Sequence, residues 1–229
     1  IGFFECIDDQ EAANTLFDYC KNWLLAKGME AMDGPINFGE RDKWWGLVIE
    51  GFQPALYNMN YNLPYYKTLF EQYGFQIYYN QECYGMNIAD QFSDKIRNNH
   101  AKYKTDPAIS VKHFEPQHLE QFAADFTTVY NKAWKSHGGG KTLSVSQTKQ
   151  MFQSMKPIMD QHICFLLYYN NEPIGGWLNL PDLNFYFKHY KGKLGLWQKI
   201  KLVISQRMKR NPNMVGLVFG VVPEWQGKG

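Results

Sequence analysis

The second half of the chain has the clearest periodicity of apolar and polar positions. Apolar residues three or four apart predict an amphipathic helix over residues 115–134, with an inward face of Leu119, Phe122, Phe126, Val129, Tyr130 and Ala133. Ser144 is a residue type that caps helix N-termini, and it opens a second helix that ends near Pro157. We expect both helices to cover one hydrophobic core.

Short apolar runs beside these helices predict strands. Residues 108–114 precede the first helix, and residues 163–169 and 173–180 are joined by the turn sequence Tyr-Tyr-Asn-Asn-Glu-Pro, which is typical of a hairpin. Residues 215–222 are rich in Val, Leu and Phe, the composition of a strand buried on both faces. The predicted order is one strand, two helices and then three strands.

The first half of the chain alternates between the two patterns. Residues 1–5, 29–32 and 75–86 predict strands. A helix capped by Asp8 or Asp9 ends at Gly28, and a helix over residues 65–73 is closed by Gly74. Residues 87–103 predict a polar helix, and residues 104–107 a linker. We therefore predict two domains, residues 1–104 and 108–229.

A basic segment lies between the hairpin and the last strand. Residues 183–223 hold eight Lys or Arg residues and no acid, so the net charge of +2 leaves −6 on residues 1–182. Lys199, Lys201, Gln206 and Lys209 lie away from one apolar helical face, which comprises Leu196, Trp197, Ile200, Val203, Ile204 and Met208. We expect this face to pack on a core beneath a solvated cationic face. Attraction of CoA or RNA, and peripheral membrane contact, are the alternatives.

Composition excludes some classes of protein. A hydrophobic content of 45% and an aromatic content of 17% exclude a disordered polymer. No apolar run approaches the roughly 18 residues of a membrane-spanning helix. Ile1 is not a start methionine, so we expect a fragment cut at both ends. The four cysteines are scattered and no histidine lies at ligand spacing, which predicts a cytoplasmic protein without a bound metal.

A glycine loop follows the last strand. Pro223 ends the strand, and two glycines then flank a lysine at Gly227-Lys228-Gly229. Glycine adopts positive φ readily, and successive N–H groups that point into one concavity bind anions. A buried strand followed by such a loop indicates phosphate binding, although an ordinary strand-to-loop turn has the same short pattern.

The stretch from the strand to the loop resembles the acetyl-CoA signature of the GNAT N-acetyltransferase superfamily, Gln/Arg-x-x-Gly-x-Gly/Ala. Its front half is matched by Gln226, Gly227, Lys228 and Gly229. The resemblance implies that backbone N–H groups of these residues hold a pyrophosphate. It also implies that an N–H near Val221 and Val222 polarises the thioester carbonyl. The acid that protonates the leaving thiolate is expected beyond Gly229, so no catalytic residue is assigned.

The resemblance extends to the first half, where residues 66–75 are similar to the Tyr-Glu-Lys-x-Gly-Phe ending of the family. Two departures suggest a degenerate copy. Residues 6–11, at the position of the pyrophosphate loop, contain Asp8, Asp9 and Glu11 and no glycine, so they should repel phosphate. Phe70 occupies the usual position of the general-acid tyrosine and has no proton to give.

Other candidate motifs are weaker. Residues 138–142 read Gly-Gly-Gly-Lys-Thr, but a P-loop needs a glycine where Lys135 stands and a preceding strand. We interpret them as a loop between two helices. By the resemblance this loop borders the acceptor site, so Trp134 and His137 are candidate substrate contacts. Glu224 is a candidate base, and the simpler interpretation is a solvated turn residue.

The sequence thus predicts an α/β fold with GNAT-like mixed sheets in two tandem copies or half-copies. The leading predicted function is transfer of an acyl group, acetyl first among them, from acetyl-CoA to a small-molecule or peptide amine, with no metal and no DNA. Two alternatives remain open. A Fem-type aminoacyltransferase that uses aminoacyl-tRNA is favoured by the basic segment. A GNAT-fold binding protein without catalysis is favoured by the degenerate first copy.

Overall fold

The computed structural model describes residues 1–39, 46–135, 142–208 and 211–228. The chain divides into two compact units, Ile1–Gly85 and Met86–Gly229. The described residues contain seven α-helices and one four-stranded sheet. The chain is of the α/β class, as predicted. All three strand pairings are antiparallel, so the sheet of the described residues is not mixed.

The first unit contains α1 (Gln10–Ala26) and α2 (Tyr66–Tyr73). Both helices end where the sequence predicts, at Gly28 and Gly74, which have φ of +74° and +110°. Left-handed glycines at these positions satisfy the last carbonyls of a helix without a steric penalty. The buried core of this unit comprises Ala13, Phe17, Tyr66, Leu69 and Phe70, with Phe4 and Phe75 packed against it.

The strands predicted at residues 1–5, 29–32 and 75–86 are wrong. These residues are assigned no strand; the Ile36 N–H donates to the Ile1 carbonyl at 2.7 Å. A strand is defined by a ladder of hydrogen bonds to a neighbour, and apolar alternation does not reveal whether a neighbour exists. Ile1, Phe4, Met32 and Phe75 are partly buried and the other residues of these three segments are exposed. The pattern therefore did not identify a sheet.

The second unit holds the sheet and the other helices. In chain order its elements are α3 (Asp94–Lys104), β1 (Ile109–His113), α4 (Leu119–Trp134), α5 (Val145–Met155), β2 (Phe165–Tyr169), β3 (Glu172–Pro181), α6 (Asn184–Phe187), α7 (Leu196–Arg207) and β4 (Met214–Val221). The strand order is β1-β2-β3-β4, so β4 lies at an edge. The predicted order of strand, two helices and three strands is confirmed, with α6 and α7 before the last strand.

Helices α4 and α5 bury their apolar faces against the sheet. Phe122 and Phe126 of α4 meet Phe152 of α5, with ring centroids 5.6 and 5.4 Å apart. Leu166 of β2 and Leu178 of β3 belong to the same buried cluster. The predicted face of α4 is confirmed, because five of its six residues are buried and Tyr130 packs against the cluster.

Local chemistry fixes the ends of these elements as the sequence predicts. The Ser144 hydroxyl accepts from the Gln147 N–H at 3.2 Å, and the Gln147 side chain accepts from the Ser144 N–H at 2.9 Å. This capping box satisfies the first N–H groups of α5. Asn170 and Asn171 have φ of 48° and 66°, the two positive values that a tight hairpin turn requires.

The boundary between the units differs from the predicted linker at residues 104–107. It falls after Gly85, so α3 belongs to the second unit. A physical reason is a contact that the sequence did not predict: the Tyr103 hydroxyl donates to the Lys228 carbonyl at 2.6 Å, across 125 residues. The assignment of the two units as GNAT-like copies remains a prediction.

The expected packing of the basic helix is wrong. None of the residues of α7 is buried. The six residues of the predicted apolar face are 41–74% exposed, with Trp197 and Leu196 the most exposed. The helical period identified correctly which residues share a face, but the described residues do not cover that face.

Candidate functional site

The edge of β4 presents a backbone N–H at the predicted thioester position. The Val222 N–H donates to the Ile174 carbonyl at 2.9 Å, which makes these two residues a hydrogen-bonded pair. Hydrogen-bonded and non-bonded pairs alternate in an antiparallel ladder. Val221, paired with Gly175, therefore directs its N–H and carbonyl away from β3, toward the open edge. Of the two predicted residues, Val221 has the N–H in a position to contact a ligand.

The glycine loop begins with a short turn and ends in a left-handed residue. Pro223–Trp225 form a 3₁₀ turn, and the Gln226 N–H donates to the Pro223 carbonyl at 3.2 Å. Gly227 follows with φ of +73°, and a Cβ built there would meet nothing within 4 Å. Among the described residues, no acceptor takes the N–H of Gly227 or Lys228. Two successive donors are therefore available, while the Gln226 N–H is already used.

Side chains hold this loop against the strand and against α3. Gln226 Nε2 donates to the Val221 carbonyl at 2.9 Å, so one predicted site residue closes the loop onto another. Tyr103 of α3 donates its hydroxyl to the Lys228 carbonyl. The Trp225 ring lies 4.6 Å from that of Tyr169, and Lys228 Nζ lies 5.0 Å above the Trp225 ring. The structure therefore brings Val221, Gln226, Gly227 and Lys228 together, whereas Gly229 lies outside the described residues.

Trp134 lies beside the same edge. A Cβ built on Gly220 would be 3.5 Å from Trp134 Nε1 and 3.2 Å from Ala133 Cβ. The absence of a side chain at Gly220 lets the end of α4 approach β4 one residue before Val221. The Trp134 side chain is 37% exposed, so part of its surface is open to a ligand. His137 and residues 138–141 lie outside the described residues.

The charges near the loop are few. Glu224 is exposed on the 3₁₀ turn, which matches the interpretation as a solvated turn residue and gives no support to a catalytic base. Lys228 is the basic residue of the segment 221–228. Lys102 Nζ donates to the Tyr103 hydroxyl at 3.2 Å, next to the Lys228 carbonyl. An anion at this loop would thus be held by backbone dipoles first and by exposed ammonium groups second.

The corresponding turn of the first unit is occupied by its own carboxylate. Asp9 caps α1, and its Oδ1 accepts from the Ala12 N–H at 3.0 Å. Glu11 adds a second negative charge in the first turn. A free helix N-terminus attracts anions through its unpaired N–H groups and positive dipole end. Here a carboxylate already uses one of those donors, consistent with the expectation that this copy binds no phosphate.

A cleft in the first unit and the potential metal ligands are two other features that could form a site. An open cleft of about 550 Å³ lies in the first unit, lined in part by Lys21, Leu24, Met29, Tyr73 and Tyr78. It contains neither a glycine nest nor a predicted site residue. No group of three or more potential metal ligands exists within residues 1–39, 46–135, 142–208 and 211–228.

Tyr168 is a polar residue of the second unit's core whose hydroxyl has a structural partner. Its hydroxyl donates to Asp125 Oδ2 at 2.7 Å, and Lys112 Nζ lies 4.3 Å above its ring. Burial, followed by the Asp125 carboxylate, raises the pKa of this phenol well above its usual range. Tyr168 therefore stays protonated and structural at neutral pH.

The chain was compared with known proteins. No family model matches it. It is 26% identical over 218 residues to a bacterial ceramide synthase of Caulobacter vibrioides (strain NA1000 / CB15N), a match that covers 90% of this chain and 56% of the relative. The chain thus spans little more than half of that relative's length.

Among solved structures the chain is similar to an apo mutant of an agmatine N-acetyltransferase. The TM-score is 0.30 and the identity 15%, over 52% of this chain and 63% of the other. In the part of the chain that the structure describes, no helix is long and apolar enough to cross a membrane.

Proposed function

We propose that the second unit is the acyl-CoA-binding part of an N-acyltransferase of the GNAT type. The observation that carries this proposal is the loop after β4. There the N–H groups of Gly227 and Lys228 lack an acceptor among the described residues, and Gly227 leaves the approach to them open. At the end of β4, just before this loop, the Val221 N–H points to the open edge of the sheet. These donors fit a pyrophosphate and a thioester carbonyl, respectively.

In this proposal the chain supplies orientation and hydrogen bonds rather than a covalent nucleophile. The acceptor amine would attack the carbonyl carbon of the thioester directly. As the C–N bond forms the C–S bond breaks, and CoA would leave as a thiolate that takes up the proton lost by the amine nitrogen. The Val221 N–H would donate to the carbonyl oxygen as negative charge develops there, which stabilises the transition state more than the ground state. The Gly227 and Lys228 N–H groups would fix the phosphates, so that the acyl group lies at the β4 edge.

The acceptor is proposed to be an amine. The relative's printed name supports this, because a ceramide contains an amide between a fatty acyl group and an amino alcohol. We therefore extend the acetyl group predicted from the sequence to longer acyl chains. Trp134 lies beside Gly220, the residue that precedes Val221, and is partly exposed, so it is the proposed contact for the acyl chain or the acceptor.

Calorimetry on the full-length protein tests the proposal. Acetyl-CoA and palmitoyl-CoA are titrated separately, and saturable binding of at least one is expected below millimolar concentration. CoA without an acyl group should bind too, because the phosphates are held by the loop. Absence of binding by all three ligands at millimolar concentration would contradict the proposal.

Two outcomes would favour the alternatives kept from the sequence. Binding of aminoacyl-tRNA without any binding of acyl-CoA would indicate a Fem-type aminoacyltransferase, in agreement with the basic segment. Binding of acyl-CoA without amide formation from any amine, including long-chain amino alcohols, would indicate a binding protein.

A further inference from the structure

Helix α7 turns most of its apolar residues to solvent and a mostly polar side to the protein. The partly buried positions of α7 are Gln198, Leu202, Ser205 and Gln206. The exposed apolar residues are Leu196, Trp197, Ile200, Val203, Ile204 and Met208. At 3.6 residues per turn these six fall within an arc of about 140°. We refer to them as the α7 apolar face. An amphipathic helix of a water-soluble domain normally has the opposite orientation.

Basic residues border this face. On the same helical wheel Lys201 lies at one edge of the arc and Lys199 at the other, and both are exposed. Arg207 lies within the arc in the last turn, where a long aliphatic stem can lie along apolar surface while the guanidinium stays in water. The preceding loop adds the exposed Lys191 and Lys193. Because residues 183–223 contain no acid, these charges are not neutralised within the segment.

We propose that α7 is an interfacial helix that binds the surface of an anionic lipid bilayer. Its apolar face would enter the boundary between headgroups and acyl chains, while Lys199 and Lys201 remain at headgroup level beside anionic phosphates. An interfacial helix combines a basic polar border with Trp and aliphatic residues on one face. Trp197 at the start of the helix has the side chain that prefers this interface.

The combination of positive charge and apolar surface favours lipid over nucleic acid as the ligand of α7. RNA would pair with the lysines, but a duplex or a single strand offers phosphates and base faces and leaves Ile, Val and Leu side chains in water. A bilayer surface satisfies both the apolar arc and its cationic border. Each Lys or Arg near an anionic leaflet adds to the attraction, and salt screens it.

Flotation with vesicles tests this inference on the full-length protein. Vesicles of phosphatidylcholine with about 30% phosphatidylglycerol are compared with phosphatidylcholine alone. We expect binding to the anionic vesicles, and weaker binding as salt rises, because the Debye length falls from about 10 Å at 0.1 M to about 3 Å at 1 M.

The double variant Ile200→Gln with Ile204→Gln removes apolar area from the middle of the face. Binding to anionic vesicles should weaken at least about tenfold, while the unfolding midpoint without vesicles is unchanged because both side chains are exposed. The matched control is Ile88→Gln with Ile96→Gln, which removes two exposed isoleucines outside α7 and should bind as wild type. Lys199→Gln with Lys201→Gln should weaken binding and reduce its salt dependence.

Three results would overturn the inference. The first is absence of vesicle binding by the wild type. The second is equal binding by the wild type and the Ile200→Gln/Ile204→Gln variant. The third is a clear drop in unfolding midpoint for that variant without vesicles, because the face would then be covered by other parts of the protein. The result is independent of the proposed function: calorimetry with acyl-CoA is done without vesicles, so either proposal can fail alone.

Discussion

Two turns of this chain occupy the position of a pyrophosphate loop by the family resemblance, and the structure gives them opposite surroundings. At the start of α1, the Asp9 carboxylate accepts a hydrogen bond from the Ala12 N–H, one of the donors that a bound anion would need. After β4, Gly227 adopts a left-handed conformation, and no described residue accepts its N–H. We infer that unused backbone donors, rather than a turn beside a regular element, make the loop after β4 the candidate site. Variants at these turns and in the core of the first unit can test this contrast, and their expected effects differ in size.

The largest effect is expected from Gly227→Val. A β-branched residue at φ of +73° is strained by about 1–3 kcal/mol. A backbone shift that relieves this strain would turn the N–H groups of residues 227 and 228 away from the proposed phosphate position. Affinity for acyl-CoA should fall by at least about tenfold, measured by calorimetry. The matched control is Gly28→Val, since Gly28 has φ of +74° and equally open surroundings at the end of α1. If both variants bind acyl-CoA as wild type, the backbone donors are not the site.

The next largest effect is on stability, in the first unit. Phe70→Tyr restores the hydroxyl that the family resemblance expects, but Phe70 is buried against Phe4, Phe17 and Phe75. A buried hydroxyl without a partner costs about 1–3 kcal/mol, so the unfolding free energy measured with urea should fall by that amount. Phe52→Tyr, at an exposed ring, is the control and should be neutral. A stable Phe70→Tyr variant with added transferase activity would contradict the interpretation of this unit as degenerate.

Asp9→Ala should have a moderate effect on stability and none on ligand binding. Loss of an N-cap costs about 0.5–2 kcal/mol, which urea unfolding can measure. Asp8→Ala removes a neighbouring carboxylate without removing the cap, and should leave stability nearly unchanged. Affinity for acyl-CoA should equal that of the wild type in both variants. A gain of acyl-CoA binding sites in Asp9→Ala would instead show that the carboxylate alone blocks the first turn.

The smallest effect is expected for Lys228→Ala. An exposed charge near a phosphate contributes about 1 kcal/mol or less, and salt screens it. Affinity for acyl-CoA should fall less than in Gly227→Val, and the loss should shrink at high salt. Lys27→Ala is a matched control, since its ammonium lies 5.7 Å above the Trp23 ring, much as that of Lys228 lies above Trp225. A greater loss in Lys228→Ala than in Gly227→Val would mean that side-chain charge, not the backbone, recognises the ligand.

Local signals in the sequence predicted the elements that local chemistry determines. The capping box at Ser144, the asparagine turn of the hairpin and the apolar face of α4 all depend on residues within a few positions of each other. The loop at Gly227 belongs to the same class, because a glycine at positive φ has a short-range cause. These features were predictable without a fold.

Features that depend on distant partners were not predictable in this way. The strands proposed for the first unit required neighbours that the pattern does not contain. The spacing of the apolar residues in α7 indicated which of them share a face, but not whether that face is buried or exposed. The contact between Tyr103 and Lys228 joins residues 125 positions apart. The periodicity of helices and strands relates only residues a few positions apart, so it cannot predict this contact. The same limit explains why the predicted boundary at residues 104–107 separated α3 from its unit.

That contact has a consequence for how related chains can be shortened or recombined. If the second half of the chain were exchanged at the predicted linker, residues 104–107, it would be separated from α3. It would then lack the Tyr103 hydroxyl, which donates to the end of the glycine loop. A chimera joined before α3 takes Tyr103 and Lys228 from the same parent, so the hydrogen bond between them is kept. A junction at residue 108 takes them from different parents. Selection on the loop would therefore also act on a tyrosine far upstream in the chain, and this would favour inheritance of the whole second unit as a single module.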